Sequence, residues 1–230
     1  MRLTSSLLVV LAIGSWLATG PCPAGAQAAT SSHLGILAYG SLIDDPGEEI
    51  GGATSGRRAM KTPFAIEFGR SSRTRGGAPT LVPVKAGGAT VNAVLLLLKD
   101  SVSEEEAASM LWRRETRSKE KTNQYIRPER PGPNNVLVES VRVGGVKILY
   151  TDFADSGKLQ SPTAKQLAEF AVASARDQRV PEGRDGISYL ISAKKAGIRT
   201  PLMPDYEREI LRMTAAATLE QALAKLRAKK

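Results

Sequence analysis

The chain has 230 residues, 42% of them hydrophobic, and a formal net charge of +9 from 32 Lys+Arg against 23 Asp+Glu. This length fits one domain with a sizeable core. One cysteine and one histidine exclude a disulfide scaffold, and they leave any Ser-His-Asp triad or histidine metal cluster dependent on His33 alone.

The first 26 residues have the pattern of a secretory signal peptide. Arg2 precedes an apolar stretch from Leu7 to Leu17, which is shorter than the ~20 residues of a membrane-spanning helix. Ala24-Gly-Ala26 fits an A-x-A cleavage site, and cleavage there would also remove Cys22. We expect a secreted or periplasmic protein without membrane contact after cleavage; the alternative is an uncleaved anchor.

Apolar segments in the first half of the chain predict four strands, at Leu34–Tyr39, Pro63–Phe68, Thr80–Val84 and Val91–Leu98. Pro83 places the third strand at an edge or a bulge. The last segment is continuously apolar, as expected for a strand buried on both faces. The stretch between the first two strands is rich in Gly, Asp and Pro, and it predicts a loop.

Helical signals follow. Ser101-x-x-Glu104 is a capping-box pattern that predicts a helix running to about Arg117. Gly144-Gly145 separates two strand-like segments and predicts a β-hairpin. Four more segments have helical periodicity, at 164–179, 186–196, 205–213 and 218–229. Strands that precede helices predict an α+β domain over residues 34–213, with an amphipathic helix over 214–230.

The first candidate site is the turn Tyr39-Gly40-Ser41-Leu42, directly after the first predicted strand. A glycine allows the chain to turn sharply there, and successive backbone N–H groups in such a turn can bind an anion. The Ser41 hydroxyl adds a donor. The alternative is an ordinary strand-to-loop turn.

The second candidate is Glu115. Ala107, Leu111 and Glu115 are four residues apart, so they share one helix face, and that face is otherwise apolar. A carboxylate at the end of a buried stripe is suited to proton transfer. The alternative is a surface ion pair with a neighbouring cation, namely Arg114, Arg117 or Lys119.

Basic residues cluster at 57–58, 70–75, 113–121 and the C-terminus. Such clusters could attract anionic ligands, envelope surfaces or nucleic acid. Because no aromatic residues or binding motif accompany them, we favour a solvated surface and expect no nucleic-acid partner.

The sequence resembles the γ-glutamylcyclotransferase-like family, which includes the ChaC-type enzymes. The resemblance covers residues 34–211 and rests on four segments in the family's order: Ile36–Leu42, Gly77–Pro83 with the strand after it, Leu111–Glu115, and Tyr189–Ile210. The chain has Arg113 where the family usually has Asp. It also lacks the family's glycine-tyrosine pair, for which Tyr125 is a displaced candidate.

The resemblance implies a small mixed β-barrel flanked by helices, with a cavity for a γ-glutamyl group. Gly40, Ser41 and Leu42 would bind the α-carboxylate through their backbone amides, with Tyr39 and Tyr125 as further substrate-binding residues. Glu115 would act as general acid and base, releasing 5-oxoproline and an amino acid or amine. No metal or cofactor is implied.

Three alternatives stay open. The first is a non-catalytic exported protein that binds a γ-glutamyl or carboxylate ligand in the same cavity. The second is a cyclotransferase for γ-glutamylamines, and the third is an envelope-surface protein held by its charge. A buried Glu115 favours an enzyme, whereas an exposed Glu115 paired with arginine favours the binding protein. The sequence leaves the oligomeric state open.

Overall fold

A computed structural model describes residues 34–228. The predicted signal peptide and His33 lie outside the described residues. In chain order the elements are β1 (Leu34–Ala38), α1 (Glu48–Ala53), β2 (Thr54–Lys61), β3 (Ala65–Ser72), β4 (Ala78–Val84), β5 (Asn92–Leu98), α2 (Glu104–Thr116), β6 (Val136–Val143), β7 (Val146–Phe153), α3 (Ala164–Arg176), α4 (Gly186–Lys195), α5 (Met203–Thr214) and α6 (Leu219–Ala228), with short 3-10 turns at Gly40–Leu42, Arg73–Arg75 and Asp155–Gly157.

Five strands form a mixed sheet in the order β2-β5-β1-β7-β6. The central strand β1 is antiparallel to β5 and parallel to β7, so that Ile36 lies opposite Leu96 on one side and Leu149 on the other. One face of β1 packs against α2, and its other face contributes Leu37 to a separate cluster with β5 and β7. Burial on both faces explains the continuous apolar sequence of β5.

The two remaining strands, β3 and β4, form an antiparallel ribbon of their own. Ile66 and Phe68 of β3 are fully buried against helices α3 to α6, which form the largest core cluster. Between these two residues in the strand, the Glu67 carboxylate accepts hydrogen bonds from the Thr200 hydroxyl at 2.6 Å and from the Leu202 N–H at 3.0 Å. The ribbon is therefore held by the C-terminal helices.

The α+β class is confirmed, but the strands in residues 34–228 form two open sheets and not the expected closed or nearly closed barrel. Two features of the edge strands agree with open sheets. Pro79 and Pro83 interrupt the N–H donors of β4, which therefore cannot extend a regular ladder. In the five-stranded sheet the edge strands are β2 and β6. The β2 edge carries exposed Arg57 and Arg58, the kind of charged side chains that protect a sheet edge.

Several boundaries differ from the predictions. The α2 helix begins at Glu104 and is capped by Ser103, whose hydroxyl accepts from the Glu106 N–H at 3.2 Å, and not by Ser101. The predicted loop after Tyr39 contains α1 and β2. The hairpin around Gly144-Gly145 and the four late helices are present within a few residues of their predicted positions. The domain limits stay a prediction.

Candidate functional site

A cavity of about 1010 Å³ opens where the end of β1, the β3–β4 ribbon, the C-terminus of α2 and the start of α4 come together. This volume is at the upper end of the roughly 300–1,000 Å³ of small-molecule sites. Tyr39, Ser41, Leu42 and Glu115 all line the cavity. The turn Tyr39–Leu42 and Glu115, which are more than seventy residues apart in sequence, therefore line one cavity large enough for a ligand.

The turn after β1 is shaped by Gly40. Its φ of +61° lies in the left-handed region that favours glycine. The chain then forms the 3-10 turn Gly40–Leu42, closed by the Ile43 N–H donating to the Gly40 carbonyl at 3.2 Å. The first amides of a helical turn have no acceptor within it. Ser41 and Leu42 line the cavity, whereas Gly40 is buried and is not part of its lining.

Glu115 lies in the last turn of α2, and about 27% of its side chain is exposed. Arg114 Nη1 donates to Glu115 Oε1 at 2.6 Å, and Arg114 Nη2 donates to the Ser41 hydroxyl at 3.4 Å. Arg114 also donates to the Asp45 carbonyl at 2.7 Å. The ion pair between Glu115 and Arg114, which was the alternative expected from the sequence, is present. It lies in the cavity wall, and Arg114 connects Glu115 to the turn.

Two tyrosines flank this carboxylate. Burial raises the pKa of Tyr39 well above its ordinary value, and the charges of Tyr189 and Glu115 raise it further. Burial also raises the pKa of Tyr189, which the positive charge of Arg75 partly offsets. Both phenols therefore stay protonated near neutral pH and can serve as hydrogen-bond donors to a ligand.

The cavity is strongly basic, with two acids, Asp45 and Glu115, against six arginines: Arg70, Arg73, Arg75, Arg114, Arg117 and Arg184. Burial, followed by neighbouring cations, lowers the pKa of Arg184. The Arg75 guanidinium lies over the Tyr189 ring at 4.9 Å. This concentration of cations selects for an anionic ligand.

The expectation of a solvated surface for the basic clusters is wrong for Arg70 and Arg75. Arg70 is buried and Arg75 is half-buried. Arg70 lies on β3 and Arg75 in the 3-10 turn after it, and their spacing in the sequence gives no strand alternation that would have shown their burial.

Tyr125 does not reach the cavity. Its hydroxyl accepts from the Val138 N–H at 3.0 Å, and its own N–H donates to the Ser109 hydroxyl at 3.0 Å. These bonds fasten the loop after α2 to the sheet, so the expected substrate-binding role of Tyr125 has no support in its position.

The residue that departs from the family pattern, Arg113, is also structural. Its guanidinium is buried and contacts both carboxylate oxygens of Glu49, with Nη2 to Oε2 at 2.5 Å and Nε to Oε1 at 3.1 Å. This bidentate pair fastens α1 to α2. Glu115 therefore stands on a helix whose last turn is fixed to α1 by a buried ion pair.

No cluster of three potential metal-binding side chains occurs among residues 34–228. Within the same residues, no helix has the length and apolar character needed to cross a membrane.

No protein-family model matches the sequence, and neither does any curated protein. Among solved structures, a crystal structure of a γ-glutamyl cyclotransferase specific to glutathione from yeast is similar. Its TM-score is 0.48 at 12% identity, and the match covers 79% of this chain and 99% of that chain. A likeness at this distance does not assign an activity.

Proposed function

We propose that this protein is a γ-glutamylcyclotransferase-type enzyme that converts a γ-glutamyl group to 5-oxoproline and releases an amino acid or amine. One observation carries the proposal: Glu115 and the turn Tyr39–Leu42 line the same basic cavity, bridged by Arg114. A carboxylate for proton transfer and a set of amides for an anion are the two elements that this reaction requires.

In this proposal the α-carboxylate of the substrate binds to the amides of Gly40, Ser41 and Leu42. Glu115 removes one proton from the α-ammonium group. The free amine then attacks the γ-carbonyl carbon of the same molecule, so that a new C–N bond closes the five-membered ring. The original γ-amide C–N bond breaks as Glu115 returns the proton to the departing nitrogen. The ring nitrogen loses its second proton to the released amine, which leaves as an ammonium group.

The chemistry needs little else from the protein. Because nucleophile and electrophile belong to one molecule, binding in a folded pose supplies most of the proximity. A positioned general acid and base contributes typically ~10²–10⁴-fold. The hydrogen bond from Arg114 Nη1 fixes one oxygen of Glu115 and leaves the other free to exchange the proton.

A second candidate, a non-catalytic binding protein, is favoured by that same ion pair. In this alternative, the sole role of Glu115 is to hold Arg114 against the turn. Arg114 would then complete an anion site with Ser41, and the bound ligand would leave unchanged. The two functions share the cavity and differ in whether Glu115 moves a proton.

The deciding experiment is 5-oxoproline release by the protein from Gln27 onward, with γ-glutamyl dipeptides, γ-glutamylamines and glutathione as substrates. We expect release that falls at least 100-fold in Glu115→Gln, in line with the loss of general acid–base catalysis. Glu120→Gln is the matched control, because Glu120 is exposed in the loop just after α2. Undiminished release in Glu115→Gln would refute the assignment. Ligand binding without any release would establish the binding protein.

We also propose that the protein acts outside the cytoplasm, because its first 26 residues have the pattern of a signal peptide. Cell fractionation and N-terminal sequencing of the mature form test this proposal. A cytoplasmic protein that retains Met1 or Arg2 at its N-terminus would contradict it.

A further inference from the structure

Arg70 lies on β3, across from Thr80 of β4, and only 8% of the residue is exposed. Its guanidinium lies over the Phe153 ring at 3.8 Å. Its Nη2 group donates to the Asn134 side-chain oxygen at 3.3 Å. Arg70, Asn134, Phe153 and Thr80 all line the cavity, and we refer to these four residues as the Arg70 pocket.

Within residues 34–228, Arg70 has no carboxylate at ion-pair distance, and its buried Nε has no hydrogen-bond partner. Burial lowers the pKa of Arg70, but an arginine stays charged at any pH at which the protein works. A buried charge is normally paired, because its removal from water costs several kcal/mol. The natural source of a counter-charge is a ligand in the cavity.

The Arg70 pocket differs from the surroundings of Glu115. Glu115 has Arg114 and Ser41 beside it, and its charge is felt by Arg75. Arg70 instead has Asn134 and Phe153 beside it. The cavity therefore has two separate cationic positions, with space of about 1010 Å³ for a ligand that reaches both.

We propose that the Arg70 pocket is a second anion site, which binds a carboxylate at the far end of the ligand from the group held by the Tyr39–Leu42 turn. The proposal rests on the proposed function for the identity of that first group. It makes Arg70 the residue that selects γ-glutamyl compounds whose leaving group carries a carboxylate over uncharged γ-glutamylamines.

The geometry suits a carboxylate. Arginine presents its N–H donors in a planar fork that matches two carboxylate oxygens. Asn134 accepts from Nη2 only. Nε is enclosed by protein, so the terminal N–H donors of the fork are the ones that would meet a ligand. The Phe153 ring covers one face of the guanidinium, which directs a ligand to the edge of the fork.

The test is a binding comparison in the Glu115→Gln background, which prevents turnover. The two probes are γ-glutamylglycine and γ-glutamylethylamine, which differ mainly by the terminal carboxylate. We expect calorimetry to give a dissociation constant about 10- to 100-fold lower for γ-glutamylglycine, the range that a hydrogen bond to a charged group supplies. Arg70→Met should remove this difference and leave the affinity for γ-glutamylethylamine unchanged.

Two further variants serve as controls. Arg142→Met removes the same charge from an exposed position on β6, and it should preserve the difference between the two probes. Arg70→Lys keeps the charge but loses the planar fork, so it should give an intermediate preference. If Arg70→Met fails to fold, as judged by circular dichroism, Arg70→Lys and the comparison of the two probes carry the test.

Equal affinity for the two probes with Arg70 present would overturn the proposal. So would a failure of γ-glutamylglycine to bind, or an equal loss for both probes in Arg70→Met. The outcome separates this inference from the proposed reaction. An Arg70-dependent preference without any 5-oxoproline release leaves the anion site standing and refutes the enzyme. Equal release from both compounds by the protein with Glu115 intact supports the enzyme and refutes the site.

Discussion

Arg113 and Arg70 are buried to nearly the same extent, at 6% and 8% exposure, but their surroundings are opposite. Arg113 is neutralised by two carboxylate oxygens of Glu49 and also donates to the Asn123 carbonyl at 2.6 Å. Arg70 has one hydrogen bond to an amide oxygen and an aromatic ring. The first arginine is satisfied by the protein itself, whereas the second still needs an anion.

This difference separates structural from functional cations in the same molecule. A buried charge with a complete set of partners stabilises the fold only as long as every partner stays in place. A buried charge without a counter-ion lowers the stability of the empty protein and favours the bound one, since a ligand that binds only the folded state stabilises it. The two arginines should therefore respond in opposite ways to mutation.

The largest effect is expected at Glu49. Glu49→Gln would leave the Arg113 guanidinium buried beside a neutral group. We expect the free energy of unfolding to fall by about 2–3 kcal/mol. This loss is below the full cost of a buried unpaired charge because Glu49 is partly exposed. Urea titration followed by circular dichroism measures this loss. Glu48→Gln, at the exposed neighbouring position, should change the unfolding midpoint little. Equal midpoints for the two variants would show that Arg113 does not depend on Glu49.

Arg70→Met is expected to have a smaller effect of the opposite sign. Replacing an unpaired buried charge by an apolar side chain of similar length should leave the ligand-free protein as stable as before, or more stable by about 1 kcal/mol. Arg113→Met should instead destabilise the protein, because it removes the partner of Glu49. Urea titrations of both variants without ligand make the measurement. A clear loss of stability in Arg70→Met would contradict this account of the ligand-free protein and would leave the binding preference to be tested with Arg70→Lys.

Much of the fold could be predicted from the sequence. The hairpin of β6 and β7 followed from Gly144-Gly145, and the late helices followed from their periodicity. The α1 and β2 elements were missed because α1 is short and contains two glycines, while β2 is an edge strand whose residues are largely polar. Closure of a barrel could not be judged, because it depends on strand pairing that no local pattern records.

The candidate site was only partly predictable. A turn residue and a glutamate on an apolar helix face could be singled out, since each has a local signal. The role of Arg70 could not, because it depends on which acids are absent from the surrounding space, and that requires the tertiary structure. The predicted substrate-binding role of Tyr125 has no support for a related reason. A tyrosine that is near a site in sequence can have its hydroxyl bonded to the backbone of a strand elsewhere.

The smallest expected effect concerns pH, and it extends the comparison of satisfied and unsatisfied buried groups to Tyr39. Burial raises the pKa of Tyr39 in the folded protein well above its ordinary value. Above about pH 10 the unfolded chain therefore loses a proton that the folded protein retains, so the stability is complete below pH 10 and declines as the pH rises further. Between pH 8 and 10.5 this single group should lower the free energy of unfolding by at most about 0.8 kcal/mol.

Urea titrations at both pH values measure this decline in stability. The decline should be smaller for Tyr39→Phe than for the unaltered protein. Tyr189 and Tyr206, whose pKa values burial also raises, contribute equally to both proteins. Identical declines would mean that the Tyr39 hydroxyl is not shielded from water at the cavity.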